Sequence, residues 1–470
     1  MPLETRLDRS VWRPMHSRIL LALGIGWALD SFEVQIIGSV LTPLAKDFGV
    51  LGADGAISPG AVSLIWVVWF AGLMTGATAF GWLADRFGRK RLFVATLVMY
   101  SIATVVSAFS PTFLTFLIFR FITAMGVGGE YSAVTSAIAE FMPSRRRGAA
   151  TAATMNFWSV GGILAGLIGI FFLNNFVANQ LALGGVTLSA WRLCLLAGAA
   201  AAIYGLIARR TIPESPRWLA SQGRHAEASV IVTEITGIAD DGTDLAGTPK
   251  RRSLASQIGE LWANWRVRLV YGMVLEFSGS AAYYGLFTFV SAYVLISTQV
   301  DVSPATVPLI YLVGNIGALV GGFSVAALID RIGRTAVTRL SYGTASISVL
   351  LLALAALAKS PAETLAAFTL CVFSATCSWI SAYTTFSELF PTELRATGIG
   401  VSVAAGRLGG MVGVVGLSYA VSGLGLVSAF VILAIFFAIG AVAALLWGRS
   451  GGVEARGLSL DAVAPVAATV

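Results

Sequence analysis

The sequence predicts an all-α membrane protein of twelve transmembrane helices arranged as two six-helix repeats, and three observations carry that prediction. Hydrophobic residues make up 57% of the 470 and charged residues only 12%, against the roughly 25% charged of soluble domains. Apolar stretches near the roughly 20 residues that a spanning helix needs recur along the whole chain. A charged motif also returns after 245 residues with its order intact. The mean hydropathy of +0.82 likewise argues against a soluble fold.

The spans, numbered one to twelve, have apolar cores at 19–43, 61–83, 92–109, 113–140, 149–175, 191–208, 268–296, 306–329, 337–357, 363–389, 397–421 and 424–447. Six precede and six follow a polar segment, which divides the chain into a six-helix bundle over 1–208, a linker with short helices over 209–266, a second bundle over 267–448 and a tail over 449–470. The basic residues fix the expected orientation. Of 31 Lys and Arg, 26 fall on the side of the N-terminus, Lys46, Arg192 and Lys359 fall on the other, and Arg120 and Arg407 lie within spans. Basic residues stay on the cytoplasmic side of a membrane, so both termini are expected in the cytoplasm of a cell with this protein in its plasma (inner) membrane. The net charge of +7 therefore reflects topology and gives no reason to expect nucleic acid. Span one is long and lacks a small-residue cleavage site, so it is expected to be retained. Cys194, Cys371 and Cys377 sit in spans without ligand spacing and read as packing residues.

The repeat is specific. Asp85-Arg86-Phe87-Gly88-Arg89, between spans two and three, matches Asp330-Arg331-Ile332-Gly333-Arg334 between spans eight and nine. Glu140 to Pro143 with Arg147 matches Glu388 to Pro391 with Arg395, 248 residues on. An offset of 246 pairs Asp30 with Glu276, and one of 248 pairs Ser159-Val-Gly161-Gly162 with Arg407-Leu-Gly409-Gly410. Two halves of parallel topology follow, a recurring plan of transporters whose site lies near the midplane between the halves.

At these residues the chain resembles the major facilitator superfamily, through Gly81 to Lys90 between spans two and three. Arg120 with Gly126, Gly128 and Gly129, Pro213 to Leu219, and Glu388 to Gly398 resemble the branch of sugar porters, metabolite:proton symporters, niacin and aromatic-acid permeases, and organic-ion transporters. One departure demotes a sugar: span twelve runs into Leu446-Trp447-Gly448-Arg449 without the Pro-Glu-Thr closure common in sugar porters.

Acids and bases at helix ends can form contacts that exist in one orientation of the halves and break in the other. Asp85, Arg89, Glu140, Arg147, Asp330, Arg334, Glu388 and Arg395 are expected to form such a latch, since topology alone would require only the bases. Charges inside spans cost about 3 kcal/mol at the helix centre and are functional candidates by default. Asp30 and Glu33 share a face of span one. Asp30 is the first candidate for proton coupling, with Arg120 as its approaching base and Glu33 as its substitute; the resemblance implies the same parts for an acid of span one and the Arg of span four. Glu130 completes the N-terminal set.

Arg407 stands among glycines with no acid nearby on its helix. A guanidinium there can grip a carboxylate through two parallel hydrogen bonds, and the resemblance associates a base at this position with anion carriers. Pairing with Glu276 is the alternative. Asn156, Trp158, Tyr284 and Trp379 are the favoured wall residues among aromatics that also include Trp66, Trp69, Tyr131, Tyr283, Tyr311 and Tyr383.

The expectation is a proton-coupled symporter that imports a small organic carboxylate such as nicotinate or an aromatic acid. A sugar, sialic-acid-like or organic-cation carrier is the alternative, and a receptor on a transporter scaffold is remote. No enzyme is expected, because His16 and His225 lie outside the spans and no nucleophile, base and orienter converge. The Gly126 run follows no strand and lacks a phosphate-loop Lys, which argues against a nucleotide site. No cofactor or metal is implied. The expected partners are the solute, protons and the lipid bilayer, and the carrier is expected to act as a monomer.

Overall fold

The computed structural model describes residues 6–7, 10–52, 57–143, 146–176, 181–183, 186–209, 212–238, 253–295, 306–391 and 394–456. Twelve long helices account for the predicted spans: Pro14–Asp47, Pro59–Phe87, Arg89–Ala108, Phe113–Phe141, Arg147–Phe176, Ala190–Arg209, Leu254–Phe289, Val307–Ile332, Arg334–Leu357, Pro361–Ser387, Arg395–Leu424 and Leu426–Arg449. Ten of them are long and apolar enough to cross a bilayer, so this is a multi-pass membrane protein. The other two are span six, apolar over Ala190–Ala199, and span seven. Span seven begins in polar sequence, bends at Trp265 (φ −128°, ψ 19°) and ends in a π-helical turn over Val290–Leu295. Two short helices, Pro216–Ser221 and His225–Thr236, lie in the connection after span six. A hairpin of Leu181–Leu183 with Val186–Leu188 joins spans five and six, which apolarity alone did not predict.

Helix starts follow local chemistry. Thr112 caps span four by accepting from the Thr115 N–H, and Ser360 caps span ten ahead of Pro361, supplying acceptors to first-turn donors that have no partner within the helix. Spans three and nine start instead at Gly88 and Gly333, both with φ of +95°, a conformation that side chains disfavour. Each receives a carboxylate. Glu214 accepts from the Lys90 N–H at 3.2 Å, and Glu454 accepts from the N–H groups of Arg334 and Thr335 at 2.9 and 3.0 Å. Glu214 belongs to the Pro213-Glu214 motif, whereas Glu454 reaches the equivalent place from the tail, past the end of span twelve where the closing motif is missing.

The halves meet mainly where span five runs along span eight and span two along span eleven. Small residues let these helices approach. The Asn156 amide donates to the Leu319 carbonyl at 3.0 Å and lies in the gap left by Gly322. Reciprocally, Asn315 of span eight lies against Gly162 and donates to Gln35 of span one at 2.9 Å. Asn156 is therefore part of the seam between halves, a correction to its expected place in the substrate wall. An amide in a low-dielectric interface is stabilised best by a backbone carbonyl, and span eight provides one.

Candidate substrate and coupling site

The candidate side chains fall into three groups along the bundle. On the face that carries the termini, Arg334 is held from two sides, by Asp330 at 2.7 Å and by both oxygens of Glu388 at 2.9 and 3.2 Å. Gly148, at the start of span five, closes over this cluster: a methyl there would stand 3.0 Å from Arg334 Nη2 and 3.3 Å from Asp330 Oδ1. The two halves thus touch on this face through a C-terminal ion cluster. The side chains of Asp85, Arg89, Glu140, Arg147 and Arg395 lie outside the described residues.

In the N-terminal half, Arg120 donates to Glu33 Oε2 at 3.2 Å and to the Glu33 carbonyl at 3.2 Å, with both side chains 2% exposed. Its guanidinium also covers Trp69, 4.2 Å from the ring centre, an added source of stabilisation for a desolvated cation. Gly198 of span six leaves room for the Glu33 carboxylate. The partner of Arg120 is therefore Glu33 and not the favoured Asp30, a correction with a geometric cause. Glu33 lies one turn farther along span one, at the depth Arg120 occupies on the antiparallel span four. Asp30 is fully buried one turn back, its charge acting on Tyr131. Glu130 is also buried in span four.

Between these groups the spans build an aromatic cage. Trp27 is its centre: its ring lies 4.7 Å from Tyr131, 5.8 Å from Trp158 and 6.2 Å from Trp379, the last nearly parallel. Trp158 donates from its indole N–H to the Tyr283 hydroxyl at 3.0 Å, linking spans five and seven. Tyr284 packs edge-on against Phe70 of span two at 5.0 Å. Both halves therefore contribute walls. Trp27 went unnoticed in the sequence because it reads as one more apolar residue of span one; its place three residues before Asp30, on the same face, was the available signal.

Arg407 enters the cage from span eleven, 5% exposed. It donates to the Tyr284 hydroxyl at 3.3 Å and covers the Tyr131 ring at 4.3 Å. Among the described residues its Nη2 has no hydrogen-bond partner. Tyr383 faces the guanidinium without a well-formed hydrogen bond. The expected alternative, an ion pair with Glu276, is absent among the described residues. Glu276 lies instead against the backbone of Gly406, with its Oε1 also lacking a partner. A fixed cation with an open donor, surrounded by aromatic faces, has the chemistry to hold a planar anion. Beside it, a narrow cavity of about 20 Å³ is lined by Gln35, Gly38, Trp66, Tyr284 and Tyr311 among others. That is room for about one water, so the walls must part to admit a solute.

Fold and site together define a membrane carrier of two helical bundles around a buried site. The chain belongs to the Sugar (and other) transporter family, whose model matches residues 18–466, and it is a transporter of the major facilitator superfamily. The niacin transporter NiaP of Acinetobacter baylyi is 29% identical over 422 residues, which cover 87% of this chain and 88% of that one. The putative niacin/nicotinamide transporter NiaP of Bacillus subtilis is 29% identical over 414 residues, covering 85% and 88%. The fold is similar to that of the proton:xylose symporter XylE, with a TM-score of 0.72 at 20% identity over 95% of this chain and 98% of that one; at that identity the likeness speaks for the fold alone.

Proposed function

We propose that the protein imports a small organic carboxylate, nicotinate or a related aromatic acid, together with protons, by alternating access in the plasma (inner) membrane with both termini cytoplasmic. One observation carries the reading: Arg407, a buried cation with an open donor, sits inside an aromatic cage contributed by both halves. A niacin transporter and a putative niacin/nicotinamide transporter among the relatives support it.

In this reading the ring of the acid lies between Trp27, Trp158 and Trp379 while its carboxylate takes the open side of Arg407. The Arg120–Glu33 pair, with Asp30 one turn away, is the coupling element. Protonation of Glu33 neutralises the partner of Arg120, and a lone guanidinium in the membrane interior is driven toward the next carboxylate, Asp30. That exchange moves spans one and four relative to each other. The Asp330–Arg334–Glu388 cluster and the start of span five form the cytoplasmic latch, whose closure leaves the site accessible from the outer side. Both carboxylate partners of Arg334 belong to the C-terminal half, and Gly148 supplies the contact across the seam. The carrier acts as a monomer.

The test is uptake into proteoliposomes under an inward proton gradient, with labelled nicotinate and benzoate set against a hexose and a quaternary amine. Accumulation of the acids that collapses with the gradient supports the proposal. Uptake of hexose or amine that is indifferent to Arg407→Ala overturns the substrate assignment.

A further inference from the structure

Glu276 is a buried acid of the C-terminal half that the proposed mechanism leaves unused. It is 2% exposed, its Oε1 has no hydrogen-bond partner among the described residues, and it lies outside ion-pair distance of Arg407 while sharing the same buried space. The cause is local. Gly406 has no side chain, and the Glu276 carboxylate fills that gap: a methyl at Gly406 would stand 2.6 Å from its Oε2 and 3.0 Å from the Ser280 hydroxyl.

The ionisable groups facing it are few. Arg407 comes from span eleven, Tyr342 from span nine and Tyr383 from span ten. Span twelve, packed along the same helix, carries only Arg449 at its far end. Tyr342 already donates to the Leu275 carbonyl at 2.7 Å. Among the described residues the cation available to balance Glu276 is thus Arg407, acting across space without a hydrogen bond. A substrate carboxylate that binds the open side of Arg407 takes over that cation. Two ionised carboxylates then share one guanidinium in a desolvated site, an arrangement that like-charge repulsion opposes until one of them takes a proton. A substrate carboxylate on the open side of Arg407 would take charged donors, whereas among the described residues Glu276 has only the Ser280 hydroxyl beside it, so the proton goes to Glu276.

We infer that Glu276 takes up a proton from the open aqueous side when an anionic substrate occupies Arg407, giving the C-terminal half a coupling step of its own. The transfer is a plain acid–base step, with one hydronium losing the proton that Oε1 gains and no other bond changing. It rests on the reading of Arg407 as the carboxylate clamp. Over the pH range in which Glu276 is ionised in the free protein, bound protein holds one more proton than free protein, so affinity falls as pH rises through that range and is level below it. Linkage limits the slope to about tenfold in Kd per pH unit.

The experiment uses the purified full chain. Nicotinate binding is followed by tryptophan fluorescence across pH, and by calorimetry in two buffers of different ionisation enthalpy, for wild type, Glu276→Gln and Glu276→Asp. Expected are proton uptake on binding by wild type, its reduction by about one proton per ligand with a flattened pH profile in Glu276→Gln, and restored uptake in Glu276→Asp. Uptake equal to wild type in Glu276→Gln overturns the inference and leaves the clamp standing. If wild type binds neither nicotinate nor benzoate in an Arg407-dependent way, the clamp itself fails and the inference falls with it. Should Glu276→Gln not fold, infrared difference spectra of wild type decide the matter. A carboxylic acid carbonyl band appearing on ligand addition supports the inference, and its absence overturns it.

Discussion

The two halves carry the same repeat and treat their buried charges in opposite ways. Arg120 of the N-terminal half is bound to Glu33 at two points and capped by Trp69. Among the described residues Arg407 of the C-terminal half is held by the Tyr284 hydroxyl and the face of Tyr131, with Tyr383 facing it, and its candidate acid is turned into the gap at Gly406. A paired cation in a low-dielectric interior can respond to a proton but has less to offer a ligand, even though Glu33 Oε1 and Arg120 Nε also lack hydrogen-bond partners among the described residues. An open cation is costly when empty and is stabilised by the anion that it binds. The difference fits the proposed roles, in which the Arg120–Glu33 pair is the coupling element of the N-terminal half while Arg407 captures the substrate and Glu276 beside it takes up a proton of its own.

The sharpest way to break this comparison is to truncate both arginines. Arg120→Ala strands Glu33 in the interior and is expected to cost about 3–5 kcal/mol of stability, seen as an earlier thermal transition in detergent. Among the described residues Arg407→Ala breaks no direct ion pair, and Glu276, losing a cation that acted only across space, takes a proton in its place. Its thermal transition should stay close to wild type while apparent affinity for nicotinate falls about a hundredfold, the size of a lost charge-assisted contact. Equal loss of stability in the two variants would erase the distinction between the halves. Glu33→Gln sharpens the coupling side: accumulation against a gradient should disappear, whereas counterflow of labelled for unlabelled acid should persist within a few-fold.

How much of this was legible in the sequence depends on the kind of signal. Spans declare themselves by apolar length, and the repeat carried Asp330, Arg334 and Glu388 to one end of the C-terminal half, where they indeed meet. The start of span seven did not declare itself, because its first turns are polar and read as linker although Leu254–Asn264 are helical up to the bend at Trp265. Nor could spacing decide between Asp30 and Glu33. They share a face, and only the depth of Arg120 on an antiparallel helix chooses between them. Asn156 was misplaced for the same reason: a polar residue in a span points to a partner but does not say whether that partner is a solute or a neighbouring carbonyl. Glu454 was invisible because it comes from a tail of ordinary composition with no motif around it.

Smaller effects refine the comparison. Gly148→Leu would drive a side chain into the Asp330–Arg334 cluster and open the latch. Increased thiol labelling of cysteines introduced along the inner ends of spans five and eight should report it, and unchanged labelling would remove Gly148 from the latch. Trp27→Phe keeps a ring at the centre of the cage but reduces its face, and should weaken binding of the acid about threefold, within the range measured for aromatic pairs. Its effect on a hexose should be nil.

The most direct measurement is the ratio of Kd for nicotinamide to Kd for nicotinate, two ligands that share a ring and differ in the group offered to Arg407, in wild type and in Arg407→Gln. Wild type should prefer the acid by about thirtyfold or more, as a charge-assisted bond implies, and the preference should fall to about one in Arg407→Gln. A ratio that survives the substitution, or a wild type that prefers the amide, would contradict the assignment of Arg407 as the clamp for a carboxylate.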